Sequence, residues 1–273
     1  MAATRDYVFG YTDDEHRRLI SQSRIFGDLT EEMFRRAELQ SGMSVLDVGC
    51  GAGDVSFLAA DLVGPGGTVL GVDRSAKSIA IAQERARALH LEGVTFRQGE
   101  LDTLQLDQEY DALVGRLVLM YLPQPVRVLS HLLNFVRSGG LAMFQEIEMS
   151  MARAVPYSAI YETCRDWIRE TVRRAGFETD MGSRLFATFC EGGLSEPKMI
   201  LHARVEGGAG SSGYEYVAET IRSLLPMMER LGVATPDEVQ VDTLSSRLET
   251  EISTGGGVMI LPALIGAWAR KPG

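Results

Sequence analysis

The residues best placed by type and spacing to do chemistry lie in VLDVGCGAGD, Val45–Asp54. A short apolar run ends in glycines, and a helical pattern begins at once. Gly49, Gly51 and Gly53 let the backbone turn tightly and come close to a ligand. Asp73, followed by Arg74, closes a second apolar run in GVDRS. A carboxylate there can accept hydrogen bonds from both hydroxyls of a ribose. A glycine turn and an acid, each ending a strand, describe a nucleoside pocket at the carboxyl edge of an open α/β sheet.

Charge narrows the nucleoside. A dinucleotide fingerprint reads GxGxxG and seats a pyrophosphate on a helix N-terminus. Here the spacing is GxGxG, Asp54 stands where the final glycine would be, and Asp47 precedes the turn. Two carboxylates beside the loop oppose a pyrophosphate. They suit the ammonium and sulfonium of S-adenosylmethionine.

The stretch resembles motif I of class I S-adenosylmethionine-dependent methyltransferases, written (D/E)xGxGxG. GVDRS resembles their second motif, in which the acid binds ribose. GELDTL resembles the third, which implies that Glu100 and Leu101 hold the adenine; Glu stands where Asp is usual. YDALVGRLVLMYLPQP resembles motif IV of the UbiE-like small-molecule group, and RSGGLAMFQE the strand-five motif. The N-terminal YVFGYTDDEHRRLISQS resembles a segment of bacterial natural-product methyltransferases that folds over the cofactor. That implies Tyr11 and Arg24 near the donor and Tyr7 near the substrate. The resemblance covers about Tyr7 to Ile147 and the final strands. It implies methyl transfer to an oxygen, nitrogen or carbon of a small molecule (EC 2.1.1.-) in secondary metabolism, leaving S-adenosylhomocysteine.

Other residues admit two readings each. Arg116 follows a buried strand in VGRLVL and needs a partner, either the donor's carboxylate or a nearby acid. Glu146 ends the fifth strand and is either a general base at the pocket mouth or an acid bonding loop amides. His16 is the other titratable group expected to reach the site; His131 reads as structural. Tyr121, Tyr157 and Trp167 are candidates to line a substrate cavity.

The elements that must position these residues alternate. SVLDVG, TVLGVD, VTFRQG, YDALVGRLVL and GLAMFQEI read as strands, with helices over DVSFLAADLV, from Ala76 to Leu89 and from Pro125 to Val136. That alternation predicts a doubly wound, seven-stranded, mostly parallel sheet with an antiparallel last strand, a Rossmann-like α/β fold. KMILHARVEG reads as one sixth strand and GVMILPALIGAWARK as the last. Helices are expected near the N-terminus, with a second from about Thr30 to Leu39, and over Tyr157–Arg174, Tyr214–Leu231 and Asp237–Ser253. The expected organisation is a helical lid over 1–40, a donor-binding core over 41–150, a helical insertion over 151–182, core again over 183–207, a two-helix cap over 208–255 and core strands over 256–273.

Composition limits partners. Lys plus Arg is 27 against 37 Asp plus Glu, for a net charge of −10. With no segregated basic patch, nucleic acid is not an expected partner. Three scattered cysteines form neither a disulfide framework nor a zinc site, and no metal is expected. No apolar run is long enough to span a bilayer, and no leader segment is evident, so a cytoplasmic protein is expected. The N-terminal and cap helices offer surface for a homodimer. Two competing functions are a NAD(P)-dependent oxidoreductase and a donor-binding protein without turnover.

Overall fold

The computed structural model describes residues 13–273, with side chains of the first helix described at Gln22 and from Ile25 onward. Tyr7 and Tyr11, and the side chains of His16 and Arg24, lie outside the described residues. In chain order the elements are α1 (Asp13–Arg36), β1 (Ser44–Val48), α2 (Asp54–Val63), β2 (Thr68–Asp73), α3 (Ala76–Ala88), β3 (Val94–Gln98), β4 (Tyr110–Arg116), α4 (Pro125–Leu132) and β5 (Val136–Glu148). There follow β6 (Arg153–Val155), α5 (Ala159–Arg174), α6 (Met181–Glu191), β7 (Lys198–His202), β8 (Val205–Gly207), α7 (Ser212–Arg230), α8 (Pro236–Val239), α9 (Val241–Thr254), β9 (Val258–Ile260) and β10 (Ala263–Arg270). The chain forms two compact units.

The larger unit holds Phe26–Glu146, Met181–His202 and Leu264–Gly273. Its sheet has the strand order β3-β2-β1-β4-β5-β10-β7. The strands from β3 to β5 pair in parallel, and β10 runs antiparallel to β7. Helices cover both faces of such a sheet, which is why β1 and β4 read as continuous apolar runs. Met33 and Phe34 of α1 join Val45, Val69, Ala112, Val114, Leu141 and Met143 in the core. Local chemistry sets where helices begin: Ser75 caps α3 by accepting from the Ser78 amide at 3.2 Å.

Of the described residues, the smaller unit holds 13–25, Ile147–Asp180 and Ala203–Ala263. A three-stranded antiparallel sheet, β6-β9-β8, accompanies α5, α7, α8 and α9. Glu251 of α9 satisfies the start of α5, accepting from Ser158 Oγ at 2.9 Å, Ala159 N at 2.9 Å and Ile160 N at 3.2 Å. Tyr161, almost fully buried, donates its hydroxyl to the Ile260 carbonyl at 2.8 Å.

Several expectations need correction. The helix expected from Thr30 is the last two turns of α1, which runs unbroken from Asp13; Gly27 sits inside it with open space where a Cβ would be. KMILHARVEG is two strands, β7 in the large sheet and β8 in the small one. The last apolar stretch likewise divides into β9 and β10, in different sheets. The smaller unit thus claims Ala203–Ala263, so it begins before 208 and continues past 255. Asp237–Ser253 is also divided, because Gln240 takes a left-handed φ of 47° between α8 and α9.

Candidate donor-binding site

The carboxyl ends of β1 to β5 bring most of the expected residues of the larger unit to one edge. At the end of β1 the backbone turns through Gly49, with φ 65°, and Gly51, with φ 54°. A Cβ on Gly49 would lie 2.6 Å from Val118 Cγ2, so this glycine lets the turn after β4 pack on the loop. A Cβ on Gly51 would meet nothing within 4 Å. The backbone there faces open space, as a ligand cradle requires. Gly53, φ 92°, occupies the N-cap position of α2.

Asp73 ties the loop to β2. One oxygen accepts from the Gly51 amide at 3.0 Å, the other from Ser75 N at 2.8 Å. Each oxygen retains a lone pair for another donor. Burial raises its pKa, against the pull of those two amides. Gly99 N donates to the Asp73 carbonyl at 3.0 Å and Gln98 Nε2 to the Arg74 carbonyl at 3.0 Å. These bonds hold the turn carrying Glu100 and Leu101 beside Asp73 and Arg74.

Asp47 is 1% exposed. Its Oδ2 accepts from Ser56 Oγ at 2.5 Å, while its Oδ1 has no partner. Burial pushes its pKa up to about 7; the Ser56 hydroxyl and the Arg116 charge pull it the other way. Asp54 differs. It pairs with Arg85 at 2.7 Å, and Arg85 also donates to the Ala52 carbonyl at 2.6 Å. The expectation that Asp54 presents its charge to the loop is therefore corrected: Arg85 offsets it, and Asp47 and Asp73 carry the negative character.

Glu146 requires a second correction. It has no exposed surface. Its Oε1 accepts from Val118 N at 2.9 Å and Leu119 N at 2.8 Å, and its Oε2 from Met120 N at 3.3 Å. Burial pushes its pKa up to about 7 despite these amides. The side chain is a clamp on the turn after β4, where Leu117 takes a left-handed φ of 56°. It is not a base at a pocket mouth. Tyr121 ends that clamped turn and is half-buried.

Arg116 donates to Thr30 Oγ1 at 3.0 Å, and that hydroxyl lies 2.7 Å from Gln145 Oε1. His131 pairs with the Leu104 carbonyl at 2.9 Å and stands edge-on to Phe135, a structural placement. Trp167, half-buried, and Tyr157 belong to the smaller unit. Tyr157 is 76% exposed, which corrects its expected place in a cavity wall. Sequence reasoning missed Thr30, Ser56, Val118 and Gln145. A glutamine in the apolar run LAMFQEI, and a serine in VSFLAADLV, were the available signals.

Among the described residues no group of three or more His, Cys, Asp or Glu is arranged to hold a metal, and no helix is long and apolar enough to cross a membrane.

A family model described as a methyltransferase domain matches residues 39–189, from the segment before β1 through most of α6. The chain belongs to this methyltransferase domain family. Among curated relatives of the chain, an arsenite methyltransferase of Halobacterium salinarum is 35% identical over 112 residues, 41% of this chain and 29% of that protein. A demethylmenaquinone methyltransferase of Bacillus cytotoxicus is 30% identical over 132 residues, 48% of this chain and 55% of that protein. The chain thus spans little more than half, at most, of these relatives. The crystal structure of the YcgJ protein from Bacillus subtilis shares the fold, with a TM-score of 0.58 at 17% identity, over 88% of this chain and 97% of that one.

Proposed function

We propose that this methyltransferase moves a methyl group from S-adenosylmethionine to an oxygen, nitrogen or carbon of a small molecule. The carrying observation is the buried Asp47 at the end of β1, just ahead of the glycine turn in which Gly51 faces open space. Its Oδ1 lacks a donor, and its pKa is held up near 7 by burial. A cationic group bonded there would satisfy the oxygen and favour the ionised carboxylate. Asp73, with lone pairs remaining, fits the ribose hydroxyls. Arg74, Glu100 and Leu101 follow β2 and β3 at the same edge, where an adenine would lie. Arg116, Tyr11 and Arg24 complete the proposed donor set, and Tyr7, Tyr121 and Trp167 the proposed acceptor set.

The sulfonium supplies a methyl group already attached to a good leaving group. The chain's residues have to hold and align the donor, and alignment supplies most of the rate in such a displacement. With Glu146 committed to three amides, no described side chain is assigned the part of general base; His16 keeps that proposal. Natural-product biosynthesis, a cytoplasmic location and EC 2.1.1.- belong to the same reading.

The test is calorimetric titration with S-adenosylmethionine, alongside fluorescence titration with NAD(P)H. Incubation with a labelled methyl donor and a metabolite panel, read by mass spectrometry, follows. Binding of NAD(P)H without binding of the methyl donor would overturn the proposal in favour of an oxidoreductase. The engagement of Glu146 favours one second reading, a donor-binding chain without turnover. Donor affinity with no labelled product from any acceptor pool would select it.

A further inference from the structure

Two buried groups of opposite hydrogen-bonding character lack partners on one face of the larger unit's sheet. Gln145 of β5 is 0% exposed, and its Nε2 meets no acceptor. Asp47 of β1 is 1% exposed, and its Oδ1 meets no donor. Register places them together. Gln145 pairs with Arg116 on β4, and Asp47 pairs with Val114, two residues earlier on the same strand. Paired residues share a face, and so do residues two apart along a strand. The two side chains therefore leave the same face, ~10 Å apart across the sheet and ~7 Å apart along it, at its carboxyl end.

Thr30 orients the amide. Its oxygen accepts from Arg116 at 3.0 Å, and its one hydrogen faces two acceptors, the Phe26 carbonyl at 3.0 Å and Gln145 Oε1 at 2.7 Å, of which the shorter contact assigns it to Gln145. With Oε1 held by Thr30, Nε2 is turned from it. A buried donor and a buried acceptor left unmade are both costly. A ligand that relieves both must carry an acceptor and a donor a few bonds apart. The α-amino acid end of S-adenosylmethionine has that form, a carboxylate and an ammonium on one carbon.

Resting on the donor reading above, we propose that Gln145 is a donor-binding residue. Its Nε2 gives a hydrogen bond to the carboxylate of the donor's amino acid end, while Asp47 Oδ1 accepts from the ammonium of the same end. Gln145 thus reads the part of the ligand that distinguishes the full donor from its bare nucleoside.

The experiment is calorimetric titration of the full chain with two probes: S-adenosylhomocysteine, and 5′-methylthioadenosine, which keeps the nucleoside and lacks the amino acid end. Gln145→Leu is expected to weaken S-adenosylhomocysteine by about tenfold or more, the effect of one lost bond to a charged group. It should leave 5′-methylthioadenosine within about twofold, since that probe never meets the amide. Gln145→Glu should weaken S-adenosylhomocysteine further, by repulsion, again sparing the nucleoside. Thermal melting of the unliganded Gln145→Leu chain should stay close to wild type, because the orphaned Nε2 is gone and the Thr30 hydroxyl, losing Gln145, still has the Phe26 carbonyl at 3.0 Å. If that variant does not fold, Gln145→Met takes its place in the same comparison. Unchanged S-adenosylhomocysteine affinity, or equal losses for both probes, overturns the proposal. Failure of the wild type to bind either probe is a distinct result and removes the donor reading itself.

Discussion

Glu146→Gln is the substitution whose outcome follows most directly from the geometry. In the wild type a fully buried carboxylate receives the amides of Val118, Leu119 and Met120, yet burial raises its pKa from the ordinary 4.5 to about 7. A folded-state pKa above the unfolded one means that the native chain holds this proton more tightly. The associated stability is fully present below the unfolded pKa near 4.5 and is lost as pH rises through about 7. From 4.5 to about 7, at ~1.4 kcal/mol per tenfold change in proton affinity, that loss is ~3.5 kcal/mol. Glutamine cannot titrate. With its oxygen in the Oε1 position it keeps the bonds to Val118 and Leu119, but its NH₂ faces the Met120 amide and forfeits one, at ~1–3 kcal/mol. Urea denaturation at intervals from pH 5 to pH 8 reads the difference. The variant should be less stable at pH 5 by ~1–3 kcal/mol, and the gap should close or reverse by pH 8. Asp47 titrates with the same sign but is present in both proteins and cancels. A gap that is constant or widens with rising pH would mean that the amides outweigh burial and that the carboxylate stays ionised throughout. Turnover provides an independent reading: a general base lost here would cost ~10²–10⁴-fold, whereas loosening of a clamp should cost less than about tenfold.

Asp73→Ala should weaken donor binding by ~1–3 kcal/mol through lost charge-assisted hydrogen bonds, and calorimetry showing unchanged affinity would remove the ribose assignment. Gly51→Ala and Gly49→Ala should separate binding from stability. At Gly51 the new methyl group enters open space, so donor affinity should fall by at least about tenfold while the positive φ costs only ~1 kcal/mol in denaturation. At Gly49 it meets Val118 Cγ2 at 2.6 Å, so stability should fall by ~1–3 kcal/mol of overpacking; equal effects at both sites would contradict the cradle. Asp47 has a pKa of about 7, so donor affinity should decline as pH drops from 8 to 5. Asp47→Asn should bind more weakly at pH 8 and lack that decline, which calorimetry across the same range would reveal.

What could be read from sequence was what neighbouring residues encode. The glycine turn, Asp47 and Asp73 stand within or just after apolar runs, so their place at a strand end follows from local pattern. The parallel order of the first five strands follows from alternation with helices. What escaped was built from distant partners. Thr30 reaches Gln145 across 115 positions, and Arg85 reaches Asp54 across 31, so neither pairing leaves a spacing to recognise. Glu146 was legible as a choice between base and clamp; only the positions of three amides settle it as a clamp. The small sheet escaped for another reason. β6, β8 and β9 have three residues each, too few for alternation to show, and β8 and β9 sit in apolar stretches that continue into the large sheet.

The position of β10 bears on how the chain is made. It lies between β5 and β7, and among the described residues β7 has hydrogen bonds to no other strand of its sheet. During synthesis β1 to β5 can pair as they leave the ribosome, but Lys198–His202 has no template until Ala263–Arg270 has also emerged. Until then one flank of β5 is bare, and Met199 and Leu201, 38% and 47% exposed even in the finished sheet, are open to pairing with other nascent chains. Aggregation during expression should therefore respond to substitutions in β10 more sharply than equilibrium stability does.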